Sequence, residues 1–373
     1  MIFLALVGKN LLRRPTRSLL TIAGIAIGIG AVVALASLAW GFEKSWERAY
    51  AVRGTDLVVT KVTSQSPLAA PFDGGIKDQL LRLPHIEKAT GLLSDMVSVE
   101  DSPTVLVFGW ELQGFLWEHL QLIEGRWPAN DSDKCVVIGT LASTVLKKSL
   151  GAPIQVETGE FTVCGIFKSG ALVENSAIVM ALPQLQNIMG NPGRINFLNL
   201  RVTPGTTPEQ LEQLRQTIKI QMPGFQAFST DEVARHNTAI QMAKAMSWAT
   251  SAIALIVGAV GVMNTVLMSV FERIHEIGVL LAIGWRRSRI VRMILYESVV
   301  LSFIGGLAGI ALGCVAVQLL MASPWMILKI EVELSWHLFS IAFAIALGLG
   351  VLGGLYPAFL GSRLHPNEAM RYE

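Results

Sequence analysis

The sequence predicts an α-helical membrane protein with four transmembrane helices and a large α+β extracytoplasmic domain. Three observations carry this. Four stretches, Ser18–Phe42, Ala245–Phe271, Ser298–Leu328 and Leu334–Ser362, contain no Asp, Glu, Lys or Arg. Each exceeds the roughly 20 residues that cross a ~30 Å hydrocarbon core, and backbone groups in lipid must be satisfied internally, so each is a helix. The 373-residue chain is 52% hydrophobic and only 16% charged, against about 25% charge in ordinary soluble proteins. Residues 43–244, in contrast, mix charges with strand and helix patterns and form a domain rather than a loop.

Residues 1–15 predict a short amphipathic helix in the membrane interface. Ile2, Phe3, Leu6, Val7, Leu11 and Leu12 share a face, and Lys9, Arg13 and Arg14 face lipid phosphates. Pro15 breaks it from the spanning helix. Residues 16–52 form this first spanning helix, continuing without a turn signal through "WGFEKSWERAYAV" as a stalk. Ala34-Leu35-Ala36 resembles a signal cleavage site, but the apolar stretch outruns a signal core of roughly 7–15 residues, so it is read as retained.

The extracytoplasmic domain is placed at 53–230. "TDLVVTKV" alternates as a strand, and "GIKDQLLRLPHIEKATG" holds a short helix ended by Pro84, then strand-like "LLSDMVSVE". "PTVLVFGW", "KCVVIG" and "APIQVETGEFTVCGIF" are strands, the last with a hairpin turn at Thr158-Gly159. After the strand "INFLNLRVTPG", "TPEQLEQLRQTIKIQM" opens as a helix capped by Thr207 before Pro208, and "GFQAFST" is a further strand. The order suggests two interrupted layers: β–α–β pieces at 53–98 and 195–230 around a β-rich insertion at 100–190. Residues 231–271 form a second stalk and spanning helix. A polar stretch at 272–292 precedes the third helix (293–321), the fourth (334–362) and a tail (363–373).

Basic residues set the orientation. Lys9, Arg13, Arg14 and Arg17 precede the first helix; Arg273, Arg286, Arg287, Arg289 and Arg292 separate the second and third; Arg363 and Arg371 follow the fourth. Both termini and the 272–292 stretch are therefore expected in the cytoplasm. Trp40, Trp46, Trp248, Trp325 and Trp336 fall at the expected outer interface, where amphipathic rings prefer to sit.

Soluble chemistry finds no foothold. There is no G-x-x-x-x-G-K-[ST], G-x-S-x-G or H-E-x-x-H sequence, and the six histidines lack metal-ligand spacing. The net charge of +2 argues against nucleic acid. No catalytic residue, metal site or bound cofactor is expected. Cys135 and Cys164 lie on two expected strands; they can pair in an oxidising compartment, but strand cysteines are commonly buried small hydrophobes, and free thiols are expected.

Within the membrane, Gly24 and Gly28, then Gly305, Gly309 and Gly313, then Gly350 and Gly354, recur four apart, which puts small residues on one face for close helix contact. Asn264, Gln318 and Glu297 are polar in apolar surroundings and are expected to tie helices together. In "FERIHEIGVLLAIGWRRSRIVR" a helix over Phe271–Ile283 places Glu272, His275 and Glu276 at the positive end of its dipole. Gly278 within it costs about 1 kcal/mol relative to Ala, which makes sense where another backbone packs on it. An ordinary interfacial helix and a docking element for a cytoplasmic partner both fit this pattern.

The block "SAIALIVGAVGVMNTVLMSVFERIHEIGVLLAIGWRRSRIVRMILYES" resembles the MacB-like (macrolide-exporter) and FtsX-like permeases of ABC transporters. So does "GGLYPAFLGSRLHPNEAMRYE", with Gly354, Tyr356, Pro357, Pro366, Glu368 and Arg371 on the family pattern, and so does "NLLRRPTRSLLTIAGIAIGIGAVVAL". The resemblance implies a homodimer in the bacterial inner membrane, working with a separate cytoplasmic ATPase that binds ATP and Mg. It implies that Glu272, Arg273, Glu276, Ile277, Gly278, Ala282 and Gly284 contact that ATPase. It implies mechanotransmission, in which the stalks move the outer domain to export an amphipathic substrate with a periplasmic adaptor and an outer-membrane channel. A switch for a cell-wall hydrolase or sensor, or a haem exporter, are the alternatives it leaves.

Overall fold

The computed structural model describes residues 15–61, 70–100, 102–230, 232–233, 238–323 and 331–363. The expected interfacial helix at 2–14, Trp325, Pro366, Glu368 and Arg371 lie outside the described residues. The chain divides into two compact units, one of residues 1–39, 244–320 and 332–373, the other of residues 40–243 and 321–331.

The elements in order are α1 (Pro15–Val52), β1 (Leu57–Lys61), β2 (Phe72–Asp73), α2 (Ile76–Leu80), β3 (Ile86–Val99) and β4 (Ser102–Trp110). A 3-10 turn at Phe115–Trp117 leads to β5 (Gln121–Gly125), β6 (Cys135–Gly139), α3 (Thr140–Leu146), β7 (Pro153–Val156), β8 (Gly159–Lys168), α4 (Leu172–Asn175), β9 (Ile178–Ala181) and α5 (Leu182–Ile188). Then come β10 (Arg194–Ile195), β11 (Phe197–Val202), α6 (Pro208–Gln221), β12 (Phe225–Ser229), α7 (Thr238–Glu272), α8 (Ile274–Ala282), α9 (Arg287–Ala322) and α10 (Trp336–Ser362).

The outer unit is built on one 10-stranded sheet ordered β12-β1-β11-β3-β4-β9-β6-β8-β5, with β7 beside β3 and β8. The two β–α–β pieces and the insertion therefore share a sheet instead of forming separate layers; the long β3–β4 hairpin joins them. Pairing is antiparallel except at β4–β9 and β6–β8. Both faces are covered, which explains runs such as "CVVIG" and "IVMA". Leu57, Val59, Val136, Ile138, Ile178 and Met180 enter one core, while Val58, Val137 and Val179 enter the other. Thr207 caps α6 in a capping box with Gln210. The hairpin turn lies one residue earlier than expected: Val156 pairs with Gly159, and Glu157 takes the positive φ of 50°. The strand β9 and the helices α3 and α5 lie outside the sequence expectation, because their short apolar runs lack clear periodicity.

Cys135 and Cys164 form a disulfide, not the expected free thiols. They sit on adjacent parallel strands, and a bulge carries the β8 partner from Val163 to Gly165, leaving Cys164 between them with its Cα 5.5 Å from that of Cys135. Sequence placed both on strands without placing the strands side by side. Trp46 also departs from expectation. It is buried in the second core against Tyr50 and Phe108 instead of lying at a lipid interface.

Among the described residues four helices are long and apolar enough to cross a membrane: Ser18–Val52, Lys244–Glu272, Arg287–Ala322 and Trp336–Ser362. Glycines set their spacing. A Cβ on Gly305, Gly309 or Gly313 would strike Ile25, Ile29 or Val33 at 2.7–2.9 Å, so α9 packs directly on α1. Gly350 and Gly354 seat Ser302 and Ser298 of α9 in the same way, and Gly28 meets the Ala254 carbonyl at 3.2 Å. Among the described residues a Cβ on Gly24 would meet nothing within 4 Å, contrary to its expected packing role; Gly30, not singled out from sequence, makes the α1–α9 contact instead. Thr21 and Thr265 hydroxyls join α1 to α7 at 2.6 Å. Asn264 and Gln318, expected to tie helices, are exposed on the surface of the chain.

Candidate functional site

The polar stretch after α7 is shaped by one arginine. The helix stops at Glu272 because Arg273 leaves helical geometry (φ −113°, ψ 19°), and α8 restarts at Ile274. Arg273 donates from Nε to Glu276 at 3.1 Å and from Nη1 to Glu297 at 3.3 Å. The other Glu297 oxygen accepts from Ser269 at 3.2 Å. Glu297 thus joins α7, the α8 entry and α9, and the Arg273 charge is engaged within the chain.

The far end of α8 closes as a Schellman turn. Trp285 N–H reaches the Leu280 carbonyl and Gly284 N–H the Leu281 carbonyl, both at 3.0 Å, with Gly284 at φ 90°. Gly284 is therefore required by backbone conformation alone. Ile277 and Gly278 are buried. Glu272, Glu276 and Ala282 are exposed. With them, Val279 (40% exposed) and Ile283 (71%) present an apolar stripe rimmed by acidic residues before and Arg286 and Arg287 after. In α10, Tyr356 is exposed and Pro357 buried.

A second constellation lies where α1 ends in the outer unit. Gly54 (φ 64°) closes α1 with a second Schellman turn, Thr55 N–H to Tyr50 carbonyl and Gly54 N–H to Ala51 carbonyl. This places Arg53 at the C-cap, directly after Val52, and turns its side chain into the second core. Arg53 is 1% exposed and Glu174 fully buried; Nε donates to Glu174 Oε1 at 2.6 Å. Glu174 Oε2 meets His119 Nε2 at 2.8 Å and accepts from the Ser169 hydroxyl. The guanidinium lies 4.9 Å from the Phe108 ring and 5.4 Å from those of Tyr50 and Trp110, a cation–π cage. Burial pushes the Glu174 carboxyl up, but Arg53, His119 and Ser169 outweigh it and hold it at about 2. Arg201 completes the junction, bonding the Gly54 carbonyl at 3.1 Å and Glu118 at 2.9 Å.

The sequence singled out Arg273 and Glu276 of the first constellation, as expected contacts of a partner, and none of the members of the second. An arginine right after a helix and a lone Glu within "ALVENS" carried a weak signal, but only the fold brings residues 53, 119, 169 and 174 together.

Comparison with known proteins decides the family. A MacB-like periplasmic core domain matches residues 18–217, and an FtsX-like permease C-terminal domain matches residues 248–366. The chain belongs to the MacB-like, FtsX-type permease family. An uncharacterized ABC transporter permease of Methanocaldococcus jannaschii is 27% identical over 98% of this permease and 96% of its own length. The macrolide export ATP-binding/permease protein MacB of Bdellovibrio bacteriovorus is 28% identical over 98% of this permease, which spans 61% of that relative's length. The solved periplasmic region of MacB from Actinobacillus actinomycetemcomitans aligns with a TM-score of 0.40 at 17% identity, over 49% of this permease and 94% of that chain. This permease is thus a membrane protein of ABC-transporter type with an extracytoplasmic domain.

Proposed function

We propose that this permease is the membrane subunit of an ABC exporter driven by mechanotransmission. A cytoplasmic ATPase supplied by a separate chain, carrying ATP and Mg, docks on the α8 stripe. Two copies of the permease in the inner membrane, termini inward, relay its motion to the outer domains, which move an amphipathic substrate with a periplasmic adaptor and an outer-membrane channel.

One observation carries the reading. The helix α1 is a single 38-residue rod from Pro15 to Val52, and Arg53 at its tip is pinned by a buried ion pair to Glu174 in the sheet domain. A rod fixed at one end transmits a displacement made along it. Arg273, bonded to both Glu276 and Glu297, stiffens the α8 input in the same manner. The homodimer is supported by what α7 leaves open among the described residues: a Cβ on Gly261 would meet nothing within 4 Å and Asn264 is exposed, and a polar residue in lipid seeks a protein partner. The relative named for macrolide export supports export of a substrate. The disulfide supports an oxidising compartment for the outer domain.

The test is affinity purification from native membranes. Wild-type permease retains an ATPase subunit at equal stoichiometry, and the Val279→Asp/Ile283→Asp variant loses it while still inserting. Retention by the variant overturns the docking assignment.

A further inference from the structure

We infer that the outer domain carries a glycan-binding groove over Trp117 and Trp127. This goes beyond the proposed export and stands apart from it, since binding is read on the permease without an ATPase. The groove encloses about 770 Å³, within the roughly 300–1,000 Å³ of small-ligand sites. Its floor is aromatic. The Trp117 and Trp127 rings meet edge-on at 5.4 Å, and Trp117 is backed by Trp110 at 5.3 Å. Trp117 is fixed further by its Nε1 donating to the Glu111 carbonyl at 3.0 Å. Pro128 and Pro183 extend the apolar surface.

The rim is polar and held in place. Lys77 pairs with Glu111 on one side, and Gln184 clips the Asp131 carbonyl at 2.6 Å on the other. Several rim groups have no hydrogen-bond partner among the described residues: the Trp127 indole N–H, the Gln113 amide, the Asn130 amide NH₂ and the Asp131 carboxylate. These are donors and acceptors together, around flat apolar rings.

The occupant must match that mixture. A wholly apolar ligand would desolvate these groups without compensation. A polyproline segment brings acceptors only and leaves Asp131 unanswered. A phosphate meets the Asp131 and Glu111 carboxylates. A pyranose brings hydroxyls that both donate and accept, and C–H faces that lie on indole rings. With Lys77 neutralised by Glu111, the one open charge in the lining is the Asp131 carboxylate, which sugar hydroxyls answer by donating to it. The same chemistry is found in a soluble or wall glycan chain and in the headgroup of a glycolipid.

The test uses full-length permease in lipid nanodiscs. One arm titrates an N-acetylglucosamine tetramer by calorimetry; the other compares tryptophan fluorescence in nanodiscs with and without a digalactosyl lipid. Binding is expected in at least one arm, and the responding arm identifies the source. Trp127→Ala should weaken it about tenfold or more, and Gln113→Ala and Asp131→Asn should weaken it less. Trp117 and Trp127 both pack against the second core, so the exposed Gln113 and Asp131 variants carry the test beside Trp127→Ala, each with an unchanged melting temperature as the folding control. No response in either arm, or equal binding by wild type and Trp127→Ala, overturns the inference.

Discussion

Breaking the Arg53–Glu174 pair should destabilise the outer domain, and removing the whole pair should not. The Arg53→Met variant leaves Glu174, fully buried, beside His119 and Ser169 without its strongest counter-charge. Removing one partner of a buried pair costs about 3–5 kcal/mol, whereas replacing both with apolar side chains of similar volume is often neutral. At about 2–4 °C per kcal/mol for a domain of this size, Arg53→Met or Glu174→Leu alone should lower the melting transition by roughly 10 °C. The double variant Arg53→Met/Glu174→Leu should recover most of it. The assay is thermal unfolding in detergent, with hydrogen exchange of the Phe108–Trp110 amides to assign the transition to the outer domain. Acid gives a second axis. Glu174 is held at about 2, below its ordinary 4.5, so its contribution is complete above pH 4.5 and fades as pH falls through 2. The shift corresponds to about 3 kcal/mol, and Glu174→Gln should flatten that acid loss. A double variant as unstable as the sum of the single ones would refute the reasoning, because the cost would then lie in lost packing and not in an orphaned charge.

The Cys135–Cys164 disulfide closes a loop with a sequence separation of 29, worth about 3–4 kcal/mol by chain entropy; Cys135→Ser/Cys164→Ser or a reductant should lower the outer-domain transition, and intact protein should show one free thiol, Cys314, on mass labelling. Gly309→Ala would place a Cβ 2.7 Å from that of Ile29 and 2.9 Å from the Ala26 carbonyl, forcing α1 and α9 apart at about 1–3 kcal/mol. In the same detergent melting assay Gly24→Ala, in open space, should cost nothing.

The membrane part was legible because lipid demands so much of a sequence: four charge-free stretches sufficed to place four helices. Register between them was half legible. The four-residue glycine spacing marked the α9 face, but Gly24 and Gly30 are exchanged, because spacing cannot say which side of α1 meets α9. In the outer domain, the strands with alternation or a capped neighbour were found. The buried β9 and the side-by-side placement of β6 and β8 were not, because a run buried on both faces has no period and parallel neighbours are joined through a crossover. The Arg53 network is the extreme case: its members come from 53, 119, 169 and 174, and no local pattern links them. The coupling stretch is intermediate. Its location was readable, but Arg273 and Gly284 are explained by Glu297 and by the turn, and the exposed Val279 and Ile283 were not picked out.

Transmission from ATP to the outer domain is tested most directly by distance. Spin labels at Ile220→Cys, an exposed α6 position, on a Cys314→Ala background report the separation of outer domains in the permease–ATPase complex. Mechanotransmission predicts that trapping the ATPase with ATP and vanadate shifts this distance distribution, and that Arg53→Met/Glu174→Leu reduces the shift while hydrolysis continues. An unchanged distribution in a complex that hydrolyses ATP would contradict it.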